Sequence, residues 1–252
     1  MQRYFIELAF RGTGYHGWQI QPNASSVQGE IEKSLRTLLH EEVKTTGAGR
    51  TDTGVHARKY AAHFDTGHHM PEKTPDFIYK MNAILPPDIA ITSVYPVKAD
   101  AHARYSAVSR TYKYTINTVK DPFIRDYAWF YPVPLDLNLL NRAASEILKF
   151  SDFKSFAKLH SDVKTHYCKV FFAEWINDEG RVIFTIRANR FLRNMVRAIV
   201  GTLIDIGRGK TPIDDLYQII EGRERSLAGF SVPAQGLMLY DIEYPENIFL
   251  PV

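Results

Sequence analysis

Residues 47 to 58 read Gly-Ala-Gly-Arg-Thr-Asp-Thr-Gly-Val-His-Ala-Arg, which sets Arg50 and Asp52 two apart among Gly47, Gly49 and Gly54. Glycine tolerates backbone angles that other residues resist, and it lets a large partner approach the main chain closely. A cation and a carboxylate exposed on a tight loop are therefore one reading; an ordinary turn with a charged tip is the other, because Gly, Asp and Thr are common turn residues for conformational reasons alone. Other site chemistries fit poorly. The stretch fails the dinucleotide fingerprint, since Asp52 stands where its third glycine belongs, and no G-K-[ST] supplies a phosphate-binding lysine. His56 and His63 belong to no H-E-x-x-H pattern, and His68-His69 reads as a surface turn. A glycoside hydrolase needs two cooperating carboxylates. The loop offers only Asp52.

A second cluster of chemistry lies near residue 190. A helix is expected from Arg190 to Ile206, with Phe191, Leu192, Met195, Val196, Ile199 and Leu203 on one apolar arc. Arg190, Arg193 and Arg197 would then share a narrow arc of their own at spacings of three and four. Solvated faces normally mix in acids, and the first acid in this segment is Asp205, so an anionic partner would explain the stripe. Arg58-Lys59, Arg104 with Arg110 and Lys113, Arg208 with Lys210, and Arg223 with Arg225 add further clusters, and Tyr105, Tyr112 and Tyr114 accompany several of them. Cations for phosphates beside aromatic faces for bases make an RNA-binding composition. The tyrosines of an alternating segment such as 110 to 116 are equally packing residues of a strand.

These residues need elements to hold them. Tyr4, Ile6 and Leu8 alternate as in a strand, and Val27, Ile31, Leu35 and Leu38 fall at helical spacing behind the capping candidates Ser25 and Ser26. After the loop, a strand is expected over 60–65, a helix over 77–85 ended by Pro86-Pro87, and a strand over 89–97. The remainder repeats the theme: strand 109–117, helix 137–150, strands near 167–175 and 182–188, the 190–206 helix, a short helix 213–221 and a strand 237–242. This order predicts an α+β protein of two halves sharing one sheet, residues 1–103 with the Arg50 and Asp52 loop and residues 104–252.

At 252 residues, 45% hydrophobic and 23% charged, the chain can bury a substantial core. Its net charge of only +3 does not by itself announce a nucleic-acid binder. Cys168 is the only cysteine, which excludes a disulfide framework or a cysteine-rich metal site. Arg3 and Glu7 interrupt the N-terminal apolar stretch, and no apolar run approaches a membrane span, so a cytoplasmic location is expected.

The stretch Gly49-Arg50-Thr51-Asp52-Thr53-Gly54-Val55-His56-Ala57 closely resembles the catalytic loop of the tRNA pseudouridine synthase A family. The likeness extends through Gly12 to Gln19, Val27 to Glu30, Leu85 to Asp88, His102 to Ala107, Arg110 to Tyr114, Asp152 to Phe156 and Phe191 to Arg197. Thr53, Arg11 and Ala101 depart from the residues common there. The resemblance implies two ferredoxin-like halves forming a continuous, mostly antiparallel mixed sheet, with Asp52 in a cleft between them. It implies an isomerase that detaches uracil from ribose at N1, turns it and rejoins it through C5, at uridines 38, 39 and 40 of the tRNA anticodon stem-loop. Asp52 would act as nucleophile at ribose C1′ or at ring C6, or as a base at the sugar. Arg50 would open the stem-loop or position the nucleotide, Arg197 would pair with Asp52, and Tyr112 would stack on the extruded uracil. Arg58, Arg190 and Arg193 would hold phosphate. No water need be activated, so no metal and no cofactor is expected, and the family implies a homodimer. A non-catalytic tRNA-binding protein and a nucleoside or nucleic-acid hydrolase are the competing readings.

Overall fold

The computed structural model describes residues 1–68, 75–159 and 163–250, which leaves His69 of the expected His68-His69 turn outside the described residues. The chain divides into two compact units, Met1–Val108 with Leu239–Val252, and Ser109–Met238. The architecture is α+β, with strands paired mostly antiparallel.

In the first unit β1 (Gln2–Phe10) is central, flanked antiparallel by β3 (His56–Thr66) and β4 (Ile89–Val97). The two-residue β2 (Thr46–Gly47) pairs antiparallel with β3, Thr46 opposite His63 and Gly47 opposite Ala62. Successive residues of β1 point to opposite faces, yet Tyr4, Phe5 and Ile6 are all buried. Phe5 can be buried because its face is covered by the far end of the chain: it clusters with Val97, Ala101, Ala103 and Ile248, with Tyr244 and Phe249 packed against them. Helix α1 (Val27–Leu39) begins at Ser26, whose hydroxyl accepts the Gly29 N–H at 3.2 Å, and buries Val27, Ile31, Leu35 and Leu39. Helix α2 (Pro75–Ile84) buries Met81.

In the second unit β8 (Arg181–Ala188) lies antiparallel between β5 (Ser109–Asn117) and β7 (Val170–Asp178), and the short β6 (Trp129–Phe130) runs parallel to β5. Helix α3 (Leu137–Ile147), capped by Asp136 through the Leu139 N–H at 3.0 Å, packs on β7. Its Asn141 accepts the Trp175 N–H and donates to the Trp175 carbonyl, at 2.8 and 2.9 Å. Helix α4 (Met195–Gly207) is almost wholly buried, and α5 (Asp215–Glu221) is a short surface helix. Strand β9 (Leu237–Glu243) begins in the second unit and ends in the first.

The expected 190–206 helix needs correction. Residues 190 to 194 are not helical: Asn194 is left-handed at φ 67, the Met195 N–H turns back to the Leu192 carbonyl, and the Arg193 carbonyl accepts the Lys158 N–H at 2.9 Å. Asn194 is held there by its amide, which donates to the Ser231 hydroxyl at 2.7 Å. Arg190 and Arg193 therefore precede α4, and the three arginines do not form one helical arc. The 3.6-residue apolar period runs unbroken through Phe191, Leu192 and Met195, so it carried no sign of the turn.

Candidate active site

The loop from Ala48 to Val55 is built backbone against backbone. Asp52 opens a turn in which its carbonyl accepts the Val55 N–H at 3.2 Å, and Gly54, at φ 80, occupies the third position, where a type II turn needs a glycine. Over this turn lies the segment 12–18. A Cβ on Gly12 would sit 2.0 Å from the Val55 carbonyl oxygen, and one on Gly17 would sit 2.2 Å from that of Thr51. The Gly54 N–H reaches the Tyr15 carbonyl at 3.3 Å, and the Gly12 N–H donates to Nδ1 of buried His56 at 3.1 Å, which leaves that nitrogen without a proton.

The segment 12–18 is itself anchored at both ends. Asp88 accepts the Tyr15 hydroxyl at 2.7 Å while its carbonyl takes the Arg11 N–H; burial, and then the Asp88 carboxylate, push the Tyr15 phenol well above its usual range. At the other end the first N–H groups of α1, from Val27 and Gln28, bond the Gly17 and Trp18 carbonyls. Gln28 donates to the Thr45 carbonyl at 2.9 Å, and Glu32 accepts both the N–H and the hydroxyl of Thr45 at 2.8 and 3.0 Å. One helix thus holds the entry to the loop and the segment that covers it.

On this frame Arg50 is exposed and Asp52 half-buried. Arg58 is exposed on β3, its guanidinium 5.6 Å from the Tyr240 ring centroid, and its neighbour Lys59 pairs with Asp241 at 2.9 Å. Gly12, Gly17, Gln28, Glu32 and Tyr15 are the positioning residues that sequence reasoning passed over. Gly12, Tyr15, Gln28 and Gly17 lay inside the stretches of family likeness while Glu32 lay outside them, and each acts on partners distant in sequence.

In the second unit Tyr112, on β5, meets the Phe191 ring edge-on, with centroids 5.1 Å apart and planes at 87°. Arg197, half-buried in the first turn of α4, donates from Nε to the Val232 carbonyl at 2.7 Å, and the Val232 N–H returns to the Arg197 carbonyl at 3.3 Å. That anchor orients the planar fork of the guanidinium. Arg190 is half-buried and Arg193 exposed. Other basic residues serve the fold: Arg225 donates to the Ala228 and Gly229 carbonyls and to the Ser231 hydroxyl, Arg223 pairs with Asp152, and Lys210 pairs with Asp205. Tyr114 is fully buried with its hydroxyl on the Pro233 carbonyl, a packing residue rather than a stacking surface.

Among the described residues no cluster of three His, Cys, Asp or Glu side chains is placed to hold a metal ion, and no helix is long and apolar enough to cross a membrane.

His63, behind the loop on β3, gives a pH prediction. Its Nδ1 accepts the Ala103 N–H at 3.1 Å; burial first, then the Arg3 and His102 charges, lower its pKa to about 4 against an opposing effect of Asp65. The unfolded chain therefore binds a proton there below about 6.5 that the native state refuses, so this stability is complete above about 6.5 and is lost as pH falls toward 4. Thermal midpoints should fall between neutral pH and about pH 5, and less steeply in His63→Gln, whose amide oxygen can still accept the Ala103 N–H.

A sequence model of the family described as tRNA pseudouridine synthase matches residues 8–106 and 147–245. The chain is 52% identical over 250 residues to tRNA pseudouridine synthase A of Bacteroides fragilis, covering 99% of each chain. It is 48% identical over 252 residues to the protein of that name from Parabacteroides distasonis, covering 99% of this chain and 98% of the relative. With the Caldicellulosiruptor bescii protein of the same name it shares 40% over 246 residues, 97% of this chain and all of the relative. The loop and the segment that braces it both fall within the matched residues, and the chain belongs to the tRNA pseudouridine synthase family, isomerases that convert uridine to pseudouridine in tRNA.

Proposed function

We propose that this enzyme isomerises uridines 38, 39 and 40 of the tRNA anticodon stem-loop, with Asp52 as the carboxylate of the reaction. The observation that supports this is the loop itself: a half-buried aspartate and an exposed arginine, two residues apart, on a backbone braced by Gly12 and Gly17. Preorganised geometry of this kind is what a reaction without activated water requires. In the isomerisation the N1–C1′ bond breaks, a C5–C1′ bond forms, the C5 proton leaves and N1 gains one. Asp52 enters at C1′, at C6 or as a base at the sugar. Arg197, whose guanidinium is oriented by the Val232 carbonyl, is assigned in this reading as the cation that partners Asp52 in the reaction.

Extruding a stem uridine costs a few kcal/mol, offset by stacking on Tyr112 and by phosphate contacts from Arg50, Arg58, Arg190 and Arg193. Each reaction leaves the tRNA mass unchanged, so derivatisation of pseudouridine in transcripts carrying a single uridine at 38, 39 or 40 tests both activity and position. Release of free uracil would instead identify a hydrolase, and binding without conversion a non-catalytic tRNA-binding protein.

We further propose a symmetric homodimer, in which one subunit holds the tRNA body while the other modifies the loop. The basic residues come in short clusters, several of them committed to internal contacts, so one copy offers limited charge to a long RNA. Sedimentation at working concentration is expected to give twice the 28.9 kDa chain mass. A monomeric mass with full activity would refute the assembly.

A further inference from the structure

We propose that Tyr60 is a positioning residue of the reaction, its hydroxyl setting where Arg50 and Asp52 stand. This inference rests on the reading of the loop as the reactive segment.

The ladder between β2 and β3 runs out just before the loop. Thr46 lies opposite His63 and Gly47 opposite Ala62, and the Ala48 N–H still reaches the Ala61 carbonyl at 2.8 Å. At the next step Tyr60 reaches the loop strand with its side chain, whose hydroxyl accepts the Gly49 N–H at 3.3 Å and donates to the Gly49 carbonyl. One oxygen therefore satisfies both backbone groups of the residue that precedes Arg50.

The ring is held so that this oxygen cannot drift. Tyr60 is fully buried, stacked on Trp18 with centroids 4.3 Å apart and planes at 28°, and meets Phe10 edge-on at 5.6 Å. Gly47 admits the pair: a Cβ there would lie 2.2 Å from the Tyr60 hydroxyl oxygen and 2.5 Å from the Trp18 Nε1. Trp18 belongs to the segment whose Gly17 presses on Thr51. The two sides of the loop are thus tied to one aromatic stack, and the hydroxyl is the polar group through which the stack grips the strand end. A phenylalanine ring fills the same space and lacks only that oxygen.

Tyr60→Phe tests the assignment, with single-turnover conversion, tRNA affinity, thermal midpoint and Gly49 amide exchange all measured on the full-length protein. A small displacement of reacting groups costs rate rather than binding, so conversion is expected to fall about tenfold or more at unchanged affinity and nearly unchanged midpoint. Gly49 amide exchange should rise in step. A wild-type conversion rate in Tyr60→Phe overturns the inference. So does a rate loss matched by lost affinity, or one matched by a collapse of the midpoint, since either shows a role other than positioning. Wild-type protein assayed alongside separates the two readings: if it makes no pseudouridine the assignment of the reaction fails, while an active wild type beside an equally active Tyr60→Phe defeats only this proposal.

Discussion

Asp52→Asn is expected to lower single-turnover conversion of uridine in tRNA by about a thousandfold or more, as loss of a group that reacts directly with substrate commonly does. Affinity for tRNA should stay the same or improve slightly. The substitution is nearly isosteric, and the turn that carries it is closed by the Asp52 carbonyl rather than its carboxylate, so the backbone has no reason to move. It removes one negative charge from the surface proposed to meet the tRNA. Each of the three routes open to the carboxylate, attack at C1′, attack at C6 or abstraction of a sugar proton, needs an oxygen more basic than an amide provides. A near wild-type single-turnover rate would reject Asp52 as the reacting group.

The other large effect is expected from a residue of the segment that covers the loop. Gly17→Ala should reduce conversion by about a hundredfold, the scale at which displacement of about 1 Å is felt in a preorganised site. Two independent obstacles coincide there. Gly17 sits at φ 94, where an L side chain is strained, and its Cβ would meet the Thr51 carbonyl oxygen at 2.2 Å and the carbonyl carbon at 3.2 Å. These neighbours are backbone atoms, so no rotamer change relieves the clash. The segment must separate from the loop one residue before Asp52. Gly49→Ala is the control, because a Cβ on Gly49 meets nothing within 4 Å and its φ is not in the left-handed region. If Gly17→Ala and Gly49→Ala behave alike in conversion and thermal midpoint, the brace has been misread.

Strands 89–97 and 109–117 were legible to the residue, because alternation is strong in both and Pro86-Pro87 punctuates the first. Ser25 and Ser26 were both legible as capping candidates, and the helix uses Ser26. Features set by distant backbone were not. A two-residue strand such as β2 has no period to detect, and the turn at Asn194 depends on Ser231, thirty-seven positions away. Arg50 and Asp52 stood out in the loop only through its likeness to a family motif, and the jobs of Gly12 and Gly17 were not legible at all, since a glycine shows what it makes room for only when the neighbour is in place. Tyr112 and Tyr114 illustrate the same limit: two positions apart on one strand, one meets Phe191 edge-on while half-buried and the other disappears into the core.

The cluster around Phe5 also has a consequence for synthesis on the ribosome. Its members Phe5 and Ile248 lie on opposite sides of the second unit in sequence, whereas the second unit is a single uninterrupted stretch, Ser109–Met238. Contacts of such sequence separation form slowly, and domains tend to fold as their own chain becomes available. The inserted unit can therefore complete its core during translation, while the first unit waits with Phe5 uncovered until the segment carrying Tyr244 and Ile248 has been made. Enzyme truncated before Tyr244 would keep every residue assigned to the reaction and still lack Tyr244, Ile248 and Phe249 of the cluster around Phe5.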